Sequence, residues 1–317
     1  MPRRQKDQGM KKIIIAIFAV TVLFLHGTIA WAWNDLSRNF IEDRLVEKGL
    51  QRSLAQAMLN DSRVSLRPDI IIQNLFYSSP QGSAERPSVM NIDPRHIASG
   101  RNFIRENKEF LSSLEKRFGT SPQIITAILI VESRLGTYPM PYNVVTAYTN
   151  MAFLLDPDYF RRIQELYSEE YPLLYDDATI NRAHRRANWA LGELYHLAQI
   201  ANKLGIDPVS IMGSFAGAMG PAQFIPSTFS SYGIDGDGDG IASPFNMKDA
   251  KASMAHYLKR SGWSEEAAVR KKRKAIYHYN RSEIYVNTIM MLYEELGKSE
   301  VVLQEPLPIM PEELIFY

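Results

Sequence analysis

Apolar residues recur at helical spacing along most of this chain. Phe40, Ile41, Leu45, Val46, Leu50, Leu54 and Met58 predict an amphipathic helical pair over residues 36 to 60. The pattern resumes at Asp93 with Ile97, Phe103, Ile104, Phe110, Leu111, Leu114 and Phe118, and stops at Gly119. Between the two stretches, residues 78 to 88 are rich in Pro, Gly and Ser and read as a loop or linker. Thr120-Ser121-Pro122 then opens a new helix, with Ser121 placed as N-cap and Pro122 at the first helical position, where a missing N–H is no loss. Further helices are expected over 158–170, 181–204, 208–215, 247–260 and 282–296. Alternating strand patterns are scarce and there is no internal repeat, so the fold class is mainly α.

One helix breaks the amphipathic rule. Seven of the eight residues from Ile124 to Val131 are apolar, which predicts burial nearly all round. Its last turn delivers Glu132, Ser133 and Arg134, with Gly136 expected to close it. Burial raises a carboxyl pKa, and the negative end of the helix dipole pushes the same way. Glu132 is then either an acid that stays protonated near neutral pH or a structural partner of Arg134 or another cation. This helix alone leaves both readings open.

Composition adds a boundary condition. At 317 residues, with 45% hydrophobic and 22% charged residues, the chain can bury a sizeable core in two lobes or one enlarged domain. Its start is different: Arg3, Arg4, Lys6, Lys11 and Lys12 precede an apolar run from Ile13 to Leu25, then Ala30-Trp31-Ala32. This has the form of a secretory signal peptide over residues 1–32, cleaved after Ala32. The expected location is the periplasm or another extracytoplasmic space, with membrane contact only if that segment is retained. No cysteine is present, which excludes a lipid-modified cysteine and any disulfide framework. The signal segment carries five Lys/Arg against Asp7, so its removal takes the net charge from +1 to about −3. A nucleic-acid partner is not suggested, since affinity for phosphate backbones is built on clustered cations. The one dense basic run, 270–274, reads as a solvated helix face or loop.

Two further segments bear on chemistry. Between Gly213 and Ser227, small residues occupy 213, 214, 216, 217, 218 and 220, a density that serves tight packing or a ligand groove equally well. Gln223 is the amide in that stretch, with a donor and an acceptor suited to sugar hydroxyls. Downstream, Asp235, Asp237 and Asp239 take positions 1, 3 and 5 of a loop with Gly240 at position 6, as an oxygen-rich calcium loop requires. Position 12 is Asn246 rather than the usual Glu, and Asp-Gly pairs also make tight turns without metal.

Glu132-Ser133-Arg134, then Gly217-Ala218-Met219-Gly220-Pro221-Ala222-Gln223-Phe224-Ile225-Pro226, then Tyr279-Asn280, resemble in that order the lytic transglycosylases, a lysozyme-like superfamily that cleaves bacterial cell-wall glycan. Residues 213–227 and Ile97-Ala98-Ser99-Gly100-Arg101-Asn102-Phe103 are similar to the membrane-bound lytic transglycosylase B group in particular. The similarity spans roughly residues 36–296 and is weakest over 155–190. It implies a lysozyme-like transglycosylase fold with additional helical segments and a calcium-binding loop. The implied organisation is an N-terminal helical segment over 33–90, a catalytic domain over 91–300 with a helical insertion near 155–190, and a tail over 301–317.

The resemblance also implies the chemistry. Glu132 would protonate the glycosidic oxygen between N-acetylmuramic acid and N-acetylglucosamine in peptidoglycan strands, then deprotonate the muramic C6 hydroxyl to give a 1,6-anhydro end. One carboxylate serves both steps. Ser214 and Gln223 would line the groove, and Tyr279, Asn280 and Tyr285 would shape the site around the scissile bond. A structural Ca²⁺ would be held by Asp235, Asp237, Asp239, the Ile241 carbonyl and Asp249, the last acid coming from position 15 in that group. The competing readings are a hydrolytic muramidase, in which Asp156, Asp158 or Glu193 activates water, and a scaffold that binds peptidoglycan without cleaving it.

Overall fold

The computed structural model describes residues 35–76 and 88–298, and among these it holds thirteen α-helices and one two-stranded ladder. The expected signal segment, most of the 78–88 linker and the 301–317 tail lie outside the described residues. In chain order the helices are α1 (Asp35–Glu47), α2 (Arg52–Leu59), α3 (Pro68–Phe76), α4 (Pro94–Glu106), α5 (Lys108–Phe118), α6 (Pro122–Ser133), α7 (Val144–Ala152), α8 (Pro157–Tyr167), α9 (Asp177–Leu204), α10 (Pro226–Tyr232), α11 (Met247–Arg260), α12 (Val269–Tyr279) and α13 (Glu283–Gly297). No helix among the described residues is long and apolar enough to cross a membrane.

Many helix boundaries follow from local chemistry. Asp93 accepts the Arg95 N–H ahead of Pro94 at the start of α4. Asp156 does the same for Asp158 and Tyr159 ahead of Pro157 at α8. Gly119 and Gly205 end α5 and α9 at φ 70° and 65°, a left-handed conformation that glycine takes without a Cβ penalty. The expected helical pair over 36–60 is α1 and α2, and α11 has the expected bounds.

The described residues divide into two compact units, those within Met1–Glu85 and Gly136–Met254, and those within Arg86–Leu135 and Ala255–Tyr317. In the first unit, the 28-residue α9 is the central post, packed by α7 and α10. Its buried face carries Ala183, Ala187, Ala190, Leu194, Leu197 and Ala201. The small residues let neighbouring helices approach, and the leucines fill the space between them.

In the second unit, α6 packs against α13, α4 and α5. Ile124, Ile125, Ala127, Ile128 and Leu129 have no exposed surface, as their unbroken apolar run predicts. Full burial of each Ile or Leu contributes about 1.5–3 kcal/mol of transfer free energy.

Two expectations change. Residues 208–215 do not form an α-helix. Pro208–Ser210 is a single 3₁₀ turn, and Met212–Gly213 pairs antiparallel with Tyr142–Asn143 as β2 and β1. Val209, Ile211 and Gly213 are buried while Ser210 and Met212 are exposed, a period of two rather than 3.6. The basic run is helical, in α12, and Arg270, Lys271 and Lys274 are exposed as expected. Lys272 instead turns inward, its side chain only 11% exposed.

Candidate active site

Glu132 occupies the last turn of α6 in the second unit. The helix is not closed by Gly136. Arg134 and Leu135 take left-handed φ values of 49° and 61°, and their N–H groups bond the Ile130 and Leu129 carbonyls at 3.1 and 2.9 Å. This conformation costs a non-glycine residue about 1–2 kcal/mol, and the paired helix carbonyls offset part of it. The sharp stop leaves Glu132 at the helix end, and Arg134, two residues on, lines an open cleft of about 710 Å³ with Asn91, Asp93, Pro94, Arg95 and His96.

The partner of Glu132 is Tyr285, not Arg134. The Tyr285 hydroxyl donates to Glu132 Oε1 at 2.6 Å. Ser282 accepts the Tyr285 N–H as N-cap of α13, so the cap sets where this tyrosine projects. Glu132 keeps part of its surface exposed and is therefore reachable, yet it is surrounded by protein. Loss of water raises its pKa from 4.5 to about 7, and the Tyr285 hydrogen bond opposes that rise. Burial first, and then the nearby Glu132 charge, push the Tyr279 and Tyr285 hydroxyls well above the ordinary phenol value. Both tyrosines are protonated donors at neutral pH.

Tyr279 ends α12 and stacks edge-on against Tyr257, with ring centroids 5.3 Å apart at 85°. Tyr257 in turn donates to the His278 carbonyl at 2.7 Å. Nothing in the sequence singles out Tyr257, which is one aromatic residue on an otherwise ordinary helix. Asn280 caps α12, and its exposed side-chain amide makes no hydrogen bond among the described residues. Glu132, Tyr279 and Tyr285 are thus brought together, with Asn280 at the adjoining chain position.

Ser214 and Gln223 belong to the first unit, where they share one tight loop. Ser214 Oγ accepts the Ala218 N–H at 3.1 Å, and Gln223 Nε2 donates to the Gly220 carbonyl at 2.8 Å. Gln223 sits at φ 49°, an uncommon conformation for a residue with a side chain. Its carbonyl oxygen has no partner among the described residues. The neighbouring glycines answer a packing need: at Gly217 (φ 81°) an added Cβ would lie 2.1 Å from the Tyr148 ring. The Tyr148 hydroxyl donates to the Gly217 carbonyl at 2.9 Å.

Two of the three acids proposed to activate water hold structure together, and the third lies on the surface. Glu193 is buried and accepts the Ser227 N–H and hydroxyl at 2.8 and 2.7 Å, securing the start of α10. Asp156 caps α8 and accepts the Ser37 hydroxyl. Asp158 is exposed and pairs with Arg161 at 3.0 Å. All three lie in the first unit.

The acidic loop also belongs to the first unit. One oxygen from each of Asp235, Asp237 and Asp239 lies within 4.8 Å of the others. Backbone N–H groups of Gly240 and Gly238 hold the Asp235 carboxyl below its usual range. Three converging carboxylates with glycines at the turns make a donor set that fits a hard cation with oxygen ligands. The Ile241 N–H bonds Asp239, and the residue is exposed. Asp249 is outside this trio: it is fully buried, and its two oxygens accept the Gly236 and Ser243 N–H groups at 2.7 and 2.8 Å. It ties the two ends of the loop.

The transglycosylase SLT domain family matches residues 32–274 of the chain. Membrane-bound lytic murein transglycosylase B of Escherichia coli (strain K12) is 28% identical over 243 residues, which are 74% of this chain and 59% of that protein. The chain therefore spans less than two thirds of this relative's length. A structure of the Escherichia coli lytic transglycosylase Slt35 in complex with calcium superposes with a TM-score of 0.63 at 22% identity, covering 82% of this chain and 92% of that one. SltB3 from Pseudomonas aeruginosa in complex with NAG-anhNAM-pentapeptide gives 0.63 at 19% identity, covering 83% and 79%. These likenesses bear out the mainly α, lysozyme-like transglycosylase fold.

Proposed function

The chain belongs to the transglycosylase SLT domain family, and from that premise we propose that it is a peptidoglycan lytic transglycosylase with Glu132 as its single acid/base. The observation that carries this reading is a carboxyl at the end of a buried helix, with a pKa of about 7 and a tyrosine hydroxyl 2.6 Å away. An acid with a pKa near the working pH both gives and takes a proton readily, and this mechanism requires both of one group.

In the first step Glu132 donates its proton to the glycosidic oxygen between N-acetylmuramic acid and N-acetylglucosamine. The bond from that oxygen to muramic C1 breaks, N-acetylglucosamine leaves with a 4-hydroxyl, and the substrate's own N-acetyl group stabilises the positive charge at C1 until O6 bonds to it. The Tyr285 hydroxyl holds the carboxyl in one orientation and, as the proton leaves, stabilises the carboxylate that forms. In the second step that carboxylate takes the proton of the muramic C6 hydroxyl, which closes the 1,6-anhydro ring and restores the acid. Tyr279 and Asn280 would contact sugar around the scissile bond, the amide of Asn280 being unengaged. Ser214 and Gln223 would line the glycan groove, where the Gln223 carbonyl oxygen has an acceptor to offer. The second carboxylate that ordinary glycosidases use is not needed. The structural employment of Asp156 and Glu193 favours this reading over hydrolysis.

We read residues 91–300 as the catalytic region, preceded by the helical segment 33–90, and its partners as glycan strands rather than nucleic acid. The place of action is extracytoplasmic, with export through residues 1–32. A Ca²⁺ ion held by Asp235, Asp237, Asp239 and the Ile241 carbonyl would stiffen the loop without taking part in proton transfer, while Asp249 secures the loop ends. The test is lysis of purified sacculi by wild-type and Glu132→Gln proteins, with sacculus binding measured in parallel. Glu132→Gln should bind and not lyse. Negligible lysis by both proteins would instead make the chain a wall-binding scaffold.

A further inference from the structure

The hydrogen bond from Tyr285 to Glu132 depends on where α6 and α13 sit along one another. The two helices pack together, and α6 is apolar and buried on nearly every side. Hydrophobic burial is non-directional, so it holds the pair together more firmly than it fixes their sliding register. Polar fastenings lie at both ends. At one end Tyr285 meets Glu132. At the other, Glu265 accepts the Ser121 N–H at the N-cap of α6 (2.9 Å), the Trp263 indole N–H (3.0 Å) and the Tyr293 hydroxyl of α13 (2.6 Å).

Lys272 completes the second fastening. Its ammonium lies 3.5 Å from Glu265 and 3.3 Å from the Tyr293 hydroxyl, over the faces of Trp263 and Tyr293 at 5.3 and 5.2 Å. A cation turned inward from a solvated basic run needs such partners. At 1.5 Å per residue, Ser121 and Glu132 are about 16 Å apart along α6, and Tyr285 and Tyr293 about 12 Å apart along α13. The fastenings therefore grip the pair near opposite ends. Gly100 of α4 packs closely on the same two helices: an added Cβ would lie 2.8 Å from Ile130 of α6 and 3.0 Å from Leu296 of α13.

We propose that Glu265, braced by Lys272 and bonded to Tyr293, is a positioning residue that sets the register of α6 on α13 so that the Tyr285 hydroxyl reaches the Glu132 carboxyl. Glu265 touches no reacting atom. The consequence for turnover rests on the reading of Glu132 as the acid/base, while the geometric claim can be tested without turnover.

The test uses the full chain labelled with ¹³C at the glutamate carboxyls, with the Glu132 signal assigned by its loss in Glu132→Gln. Its titration is followed in wild type, Glu265→Gln and Tyr293→Phe, and Tyr285→Phe supplies the value for complete loss of the bond. Both lock variants should move the Glu132 midpoint upward from the wild-type value toward that of Tyr285→Phe. On a defined glycan, kcat should fall about tenfold at unchanged KM, the size expected of a small misplacement. Glu132 titrating as in wild type in both variants, even with lowered stability, overturns the proposal. If Glu265→Gln does not fold, Tyr293→Phe makes the same comparison by removing one hydroxyl. A wild type without turnover would remove the catalytic reading, and the titration would still decide the lock.

Discussion

Replacing Glu132 by Gln should make the protein more stable in alkaline solution, the opposite of what losing a hydrogen-bonded side chain usually does. The Glu132 carboxyl has a pKa of about 7 against an ordinary 4.5, with burial as the main cause. The folded protein therefore holds this proton more tightly than the unfolded chain, and stability falls as pH rises from about 4.5 through about 7. Each pKa unit corresponds to about 1.4 kcal/mol, so the full penalty above pH 7 is about 3 kcal/mol. Gln is always neutral, and its carbonyl still accepts from Tyr285. Below pH 4.5 the two proteins should have equal stability. At pH 8 the variant should be more stable by about 3 kcal/mol, a large share of a typical domain's 5–15. Urea unfolding at pH 4, 6 and 8, read from midpoint and slope, measures the gap. A variant that is less stable at pH 8, or a gap that does not change with pH, refutes the argument that burial sets the Glu132 pKa.

Tyr285→Phe removes the group that opposes that rise, so the alkaline limb of the pH–rate profile should move upward from about pH 7; an unmoved limb means the bond does not act on the reacting carboxyl. Gly217→Ala places a Cβ 2.1 Å from Tyr148 at φ 81°, and overpacking with backbone strain should lower unfolding stability by at least about 2 kcal/mol; a change within about 0.5 kcal/mol would mean the loop relaxes freely. Calcium at about a hundredfold over its Kd should raise stability by about 2.7 kcal/mol. The gain should vanish with a chelator and in Asp237→Asn; a calcium response that survives in that variant places the ion elsewhere.

Much of the helical plan was legible because it is written locally. Ser121-Pro122 announces α6, Asp93 starts α4, and the apolar run behind Glu132 predicts the burial that raises its pKa. Other features depend on partners far along the chain. Tyr285 is 153 positions from Glu132, and it entered the expected site through family likeness rather than spacing. Lys272 looks like one more surface cation in a basic run, and only the Glu265 cluster turns it inward. Residues 208–215 had enough apolar content for a helix, but Pro208, β pairing and the crowding at Gly213 impose a two-residue period. The small-residue loop was readable as groove or packing, and Tyr148 against Gly217 supplies the packing answer at that glycine. Closure of α6 was expected at Gly136 because glycine is the usual residue there, yet Arg134 and Leu135 take the left-handed turn themselves.

In the mechanism derived above, the Glu132 carboxylate takes its second proton from a sugar hydroxyl rather than from water. Mass spectrometry of glycan fragments released from sacculi by the wild-type protein tests this most directly, because the two outcomes differ by one water in the product. Wild type should give 1,6-anhydromuramic ends, and Glu132→Gln none. Reducing muramic ends from the wild type would contradict this mechanism and make the protein a hydrolase.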